Sequence, residues 1–109
     1  MSRYFPAASE CGSHVVFGNV PIRTYAGEHI QLSVVDIPAL GVVDWHSHPN
    51  EQMGTMVFGE ATFFIGDEEQ VLRAGDLYFI PANVRHKVVA NAEASQALDV
   101  FYPIRDEYR

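Results

Sequence analysis

The sequence predicts an all-β fold, a small barrel or sandwich of short strands. Three observations carry that prediction. Gly, Pro or Asn interrupts the chain at short intervals, the runs between are rich in Val, Ile, Phe, Tyr and Thr, and no run has the length and period of a helix. With 109 residues, 48% hydrophobic and 19% charged, the chain is the size of a single domain with a packed core. We read it as one domain over residues 1–109.

The elements follow in order. A helix has room only near residues 4–12, where Pro6 and Gly12 limit it to about one turn. Residues 29–37 (HIQLSVVDI) alternate loosely and read as a strand. Residues 53–58 and 61–65 flank Gly59-Glu60, which reads as a hairpin turn. Gly66-Asp67 turns the chain into 69–73, and Ala74-Gly75-Asp76 turns it into 77–80. Pro81-Ala82-Asn83 leads to 86–90, and residues 91–95 break the chain before a last strand at 97–102. A small barrel of this kind encloses a cavity lined by alternate residues of each strand.

Composition removes several functions. Acidic residues (14) outnumber basic ones (7), a formal charge of -7, which opposes binding to nucleic acid. Lys87 is the one lysine, and no polybasic stretch suits an anionic membrane surface. The lone Cys11 cannot make an internal disulfide. The first residues show no signal-peptide pattern and no run is long and apolar enough to span a bilayer, so the expected location is the cytoplasm.

The chemistry concentrates in residues 41–59, GVVDWHSHPNEQMGTMVFG. His46 and His48 are two apart on an extended segment, so both imidazoles face one way and Trp45 faces the other. Gln52 follows after a Pro-marked turn, and His86 arrives late, in GDLYFIPANVRH. Three imidazoles and an amide oxygen make a compact ligand set for one divalent ion, with Zn, Ni, Mn, Co and Fe all compatible. All four ligands are neutral, so the ion would keep its full charge toward an anionic substrate oxygen.

These two segments resemble the two cupin motifs. Gly41, the His46/His48 pair, Gln52 and Gly59 follow the first, with Gln52 where most cupins carry Glu and with Gly41 one residue nearer the His pair than usual. Gly75, Pro81 and His86 follow the second (75–91), with Asn83 in place of a second Gly and Asn91 one residue late. The resemblance implies a single-domain cupin, a jelly-roll barrel also called a double-stranded β-helix.

The C-terminal run ALDVFYPIR adds a second constellation. Asp99 and Phe101 share a strand face, and Arg105 follows Pro103. If that face lines the cavity, it offers an acid, a flat apolar surface and a fixed cation, which suit a small anionic ring. An ordinary ion pair of Asp99 with Arg105 and a core Phe101 is the bland alternative. HSHPNEQ, IPANVRH and D-x-F-x-x-x-R together resemble the KdgF family of pectin degradation proteins, small cupins that act on 4,5-unsaturated uronates from pectin or alginate. That resemblance implies metal ligation by His46, His48, Gln52 and His86, and an active site lined by Asp99, Phe101 and Arg105. It also implies ring opening of the cyclic sugar to the linear 5-keto form, an isomerisation. In this reading Asp99 moves the protons, Arg105 holds the carboxylate or shares the enolate charge, and Phe101 sets the ring.

The competing readings are another cupin metalloenzyme, a dioxygenase or a polyketide cyclase, and a non-catalytic sugar-binding cupin. The expected partner is a small anionic sugar, and outward aromatics suit a homodimer. His14, His29 and Arg23 lie outside the motifs: His29 stands at the head of a strand, Arg23 is a possible second anion contact, and Arg85 should point away from His86.

Overall fold

The computed structural model describes residues 2–109. Among the described residues ten strands form two antiparallel sheets that enclose a cavity. The strands are β1 (Gly12–Val16), β2 (Val20–Ala26), β3 (Gln31–Ile37), β4 (Val42–His46) and β5 (Glu51–Phe58), then β6 (Glu60–Ile65), β7 (Glu68–Arg73), β8 (Leu77–Ile80), β9 (His86–Ala90) and β10 (Ser95–Tyr102). The larger sheet has the order β1-β2-β3-β10-β5-β8, and the smaller the order β4-β9-β6-β7. Single 3-10 turns lie at Ala8–Glu10 and Asp106–Tyr108. Among the described residues no helix is long and apolar enough to cross a membrane. This is the all-β jelly roll that the sequence predicts.

Side-chain alternation places the core. In β2, β9 and β10 buried residues recur at every second position, so one face of each strand is inside. Val20, Ile37, Met56, Phe63, Ile80 and Val88 from both sheets meet there. Burial of such side chains contributes roughly 1.5–3 kcal/mol each.

Two expectations are corrected. Gly59-Glu60 does not close a hairpin: β5 pairs with β10 and β8, whereas β6 pairs with β7 and β9, so the chain changes sheets there. Gly59 has φ +79°, and a Cβ on it would lie 2.7 Å from Ser95, so glycine is needed where the chain passes over the start of β10. His29 lies in an exposed bend before β3, not in a strand, and is not part of the lining of the cavity. β1 and β2 are not legible in the sequence. Pro21, Ser13, His14 and Arg23 hide their alternation. Pro21 is tolerated because the β2–β3 ladder begins only at Ile22, so its missing N–H is not called on there.

Candidate metal centre and cavity

Strand register builds the histidine cluster. His46 ends β4 and His86 begins β9, and the two are direct partners across the antiparallel ladder. Their ring centroids lie 4.1 Å apart. His48, two residues on, brings its ring to 5.0 Å from His86 and 5.8 Å from His46. One ligand nitrogen from each of the three falls within 4.8 Å of the others.

The backbone orients each ring. Nδ1 of His46 lies 2.7 Å from the Asp44 carbonyl, that of His48 3.0 Å from the Asn50 carbonyl, and that of His86 2.9 Å from the Val84 carbonyl. A carbonyl only accepts, so each Nδ1 carries the proton and donates, which leaves Nε2 as a lone pair. Burial lowers the pKa of all three, that of His86 to about 4, so the rings are neutral at pH 7. His86 Nε2 is buried with no hydrogen-bond partner. His48 Nε2 faces Gln52 Oε1 at 3.0 Å, two lone pairs against each other in that tautomer. A divalent cation held by the three Nε2 atoms and the amide oxygen answers both mismatches, and the donor set fits such an ion.

The opposite wall comes from the larger sheet. Register aligns one inward row across five strands: Thr24, Ser33, Asp99, Gly54 and Tyr78. Gly54 lies between Asp99 and Tyr78, and the phenol passes over it to donate a hydrogen bond to Asp99 Oδ1. A Cβ on Gly54 would collide with the Tyr78 hydroxyl oxygen and with Asp99 Oδ1. Asp99 is 6% exposed. Burial pushes its pKa up to about 6, against the opposing effects of hydrogen bonds from Tyr78 and Gln52 and of the Arg105 charge. Burial and the neighbouring carboxylate hold the Tyr78 phenol protonated.

Gln52 joins the two walls. Its oxygen faces His48, and its amide also favours the charged form of Asp99. Glutamate at this position would set a second carboxylate against Asp99, and like charges there are costly. The amide therefore suits the acid as well as an ion.

Phe101 is buried, with its ring edge-on to His48 at 5.5 Å. The Arg105 guanidinium lies over Phe101 at 5.2 Å and over Tyr108 at 4.7 Å, and its Nε pairs with Glu107 at 3.3 Å. Its ion pair is with Glu107, not Asp99. The buried Gln31 fixes this segment: its Oε1 accepts the Arg105 N–H at 2.8 Å, and its Nε2 lies 3.2 Å from the carbonyls of Arg105 and Tyr108. His46, His86, Gln52, Asp99, Phe101 and Arg105 all line one cavity of about 230 Å³. That is below the roughly 300–1,000 Å³ of drug-sized pockets and suits a single small molecule.

The structure thus brings the seven sequence-selected residues together. Arg23 is exposed on β2 and faces away, because β2 buries its neighbours Ile22 and Thr24. His14 packs against Tyr108 away from the cluster. Arg85 lies over Trp45 on the outer side, as strand alternation requires. Sequence reasoning missed Tyr78 and Gln31. Tyr78 alone had a local signal, being an inward position of LYFI, but its partner depends on register across β5.

The family model for the Cupin domain matches residues 33–101. No curated protein matches the chain in sequence. Among solved structures, an RmlC-like cupin from Shewanella frigidimarina superposes with a TM-score of 0.86 at 21% identity, covering 99% of this chain and 97% of that one. KdgF from Halomonas sp. superposes with a TM-score of 0.84 at 24% identity, covering 97% of this chain and 98% of that one. Oxalate decarboxylase from Bacillus subtilis, a protein with Mn(II) centres, gives a TM-score of 0.79 at 20% identity, covering 94% of this chain and 30% of that one. With the matched segment running from β3 through β10 and taking in all three histidines, the chain belongs to the cupin family.

Proposed function

We propose that this cupin is a metal-dependent isomerase that opens and ketonises 4,5-unsaturated uronate monosaccharides derived from pectin or alginate. The observation that carries the reading is the placement of Asp99, Phe101 and Arg105 on the same cavity as Gln52 and two members of the histidine cluster, His46 and His86. The likeness in shape to KdgF of Halomonas supports it.

His46, His48, His86 and Gln52 would hold one divalent ion, and that ion when bound would supply an uncancelled positive charge beside the anionic end of the substrate. The Arg105 guanidinium binds the sugar carboxylate, in a geometry fixed by Gln31 and the two aromatic rings. Phe101 orients the sugar ring. Asp99 takes the proton of the anomeric hydroxyl. The C1–O5 bond then breaks to an aldehyde at C1 and an enolate at C5, and the proton is delivered to C4 to give the 5-keto acid. Atoms balance, since one proton leaves oxygen and one arrives at carbon. Tyr78 occupies Asp99 Oδ1, so Oδ2 is the oxygen that works.

The test is to add the metal-loaded protein to a freshly made unsaturated uronate and follow ultraviolet absorbance of the conjugated double bond, beside a blank. We expect faster loss of absorbance that a chelator abolishes. No acceleration on either the pectin- or the alginate-derived sugar overturns the reading. Oxygen uptake in the same mixture would mark a dioxygenase.

A further inference from the structure

The turn between β1 and β2, residues 17–19, carries a side chain that the reaction above does not use. Phe17 has φ 51° and Gly18 φ 84°, both in the left-handed region. Glycine sits there freely, but a benzyl group does not, because its Cβ crowds the following carbonyl. Hairpin turns with left-handed residues favour Asn, Asp or Gly at such positions. The turn itself therefore gains nothing from phenylalanine.

The ring does touch the cavity. It lies against the His46 imidazole, with centroids 5.1 Å apart and planes tilted by 52°. It lines the cavity beside Phe101 and Arg105. It is also 43% exposed, whereas Phe101 is 6% exposed. Phe17 is thus an aromatic surface on the cavity with free area left to cover. A bulky residue kept in a disfavoured backbone conformation at a ligand clamp is the pattern expected when the ligand, not the fold, benefits from it.

We propose that Phe17 is a specificity-determining residue, the aromatic wall against which the ring of a bound carboxylate rests, and that it selects ring-bearing over ringless acids. The proposal rests on the uronate reading only for the identity of the natural ligand. A ring covering Phe17 would remove apolar surface from water on both partners.

The experiment uses metal-loaded protein and two chelating carboxylate probes, picolinate, which has a ring, and oxalate, which has none. Affinities are measured by titration calorimetry for wild type, Phe17→Asn and Phe17→Leu. We expect Phe17→Asn to weaken picolinate by about tenfold, the scale of one aromatic contact, and oxalate by less than about twofold. Phe17→Leu should fall between. The melting temperature of metal-free Phe17→Asn should hold or rise by a few degrees, since Asn accepts the left-handed region. On the unsaturated uronate, KM should rise by about tenfold with kcat nearly unchanged. Equal weakening of both probes, no weakening of picolinate, a clear drop in melting temperature, or no picolinate binding to wild type each overturns the proposal. Absence of uronate turnover in wild type would sink the uronate reading alone, and the comparison of the two probes would still decide the role of Phe17.

Discussion

The two walls of the cavity are built by opposite means. The smaller sheet supplies His46 and His86, whose rings are aimed by nearby backbone carbonyls and held neutral by burial. The larger sheet supplies Asp99, aimed by a side chain, the Tyr78 phenol, and biased by burial toward its protonated form. One wall offers lone pairs that want a cation. The other offers a carboxyl group whose ionisation the fold resists. The contrast teaches that a single desolvated cavity makes a histidine a better ligand and an aspartate a readier proton carrier, because burial disfavours whichever form is charged.

The largest expected effect breaks the histidine wall. His86→Ala should abolish stoichiometric metal, read by elemental analysis of the purified protein, and with it all uronate conversion above the blank. Asp99→Asn breaks the other wall alone: metal content should persist while turnover drops about 10²–10⁴-fold. Loss of metal in Asp99→Asn would mean the walls are not separable. Arg105→Lys keeps the charge but loses the guanidinium fork, so KM for the uronate should rise by about tenfold.

Acid sharpens the comparison, because the walls respond with opposite sign. In metal-free protein the histidines have folded pKa values below their unfolded value, His86 reaching about 4 against 6.5. Their contribution is whole above pH 6.5 and is lost as pH falls toward 4. Asp99 is raised from 3.8 to about 6, so its contribution is whole below pH 3.8 and is lost as pH rises through 6. Thermal melts of chelated protein from pH 7 to 5 should therefore show falling stability, on the order of a kcal/mol or more, with three histidines opposing one aspartate. In Asp99→Asn the fall should be steeper and the stability at pH 7 higher. A flat profile would contradict the burial of the histidine wall.

How legible the molecule is from sequence follows the same division. His46, His48, Gln52 and His86 sit in Gly- and Pro-marked segments whose spacing is local, so the cluster could be read before the fold. The strands from β5 onward announce themselves through alternation between turns. Residues 20–26 did not, because their inward Thr24 and outward Pro21 and Arg23 blur polarity with face. The Tyr78 contact to Asp99 and the Gln31 clamp on Arg105 join residues 21 and 74 positions apart. Such contacts depend on register between strands that no short window contains. Gly59 misled for the same reason: a glycine between two strands marks a turn, but which sheet each strand enters is a property of the whole barrel.

Gly54 has a further bearing, on which sequences this barrel can accept. Its neighbours Met53 and Thr55 point outward on β5, Met53 being 55% exposed, and neither takes part in the Tyr78–Asp99 contact. At residue 54 even one methyl group collides with both partners of the Tyr78–Asp99 contact. A library randomised over residues 53–55 and selected for turnover should return many residues on either side and glycine alone at the centre. Alanine at 54 should return only beside a second change that shortens Tyr78. The freedom of this strand to vary is thus set by a hydrogen bond formed on the strands that flank it.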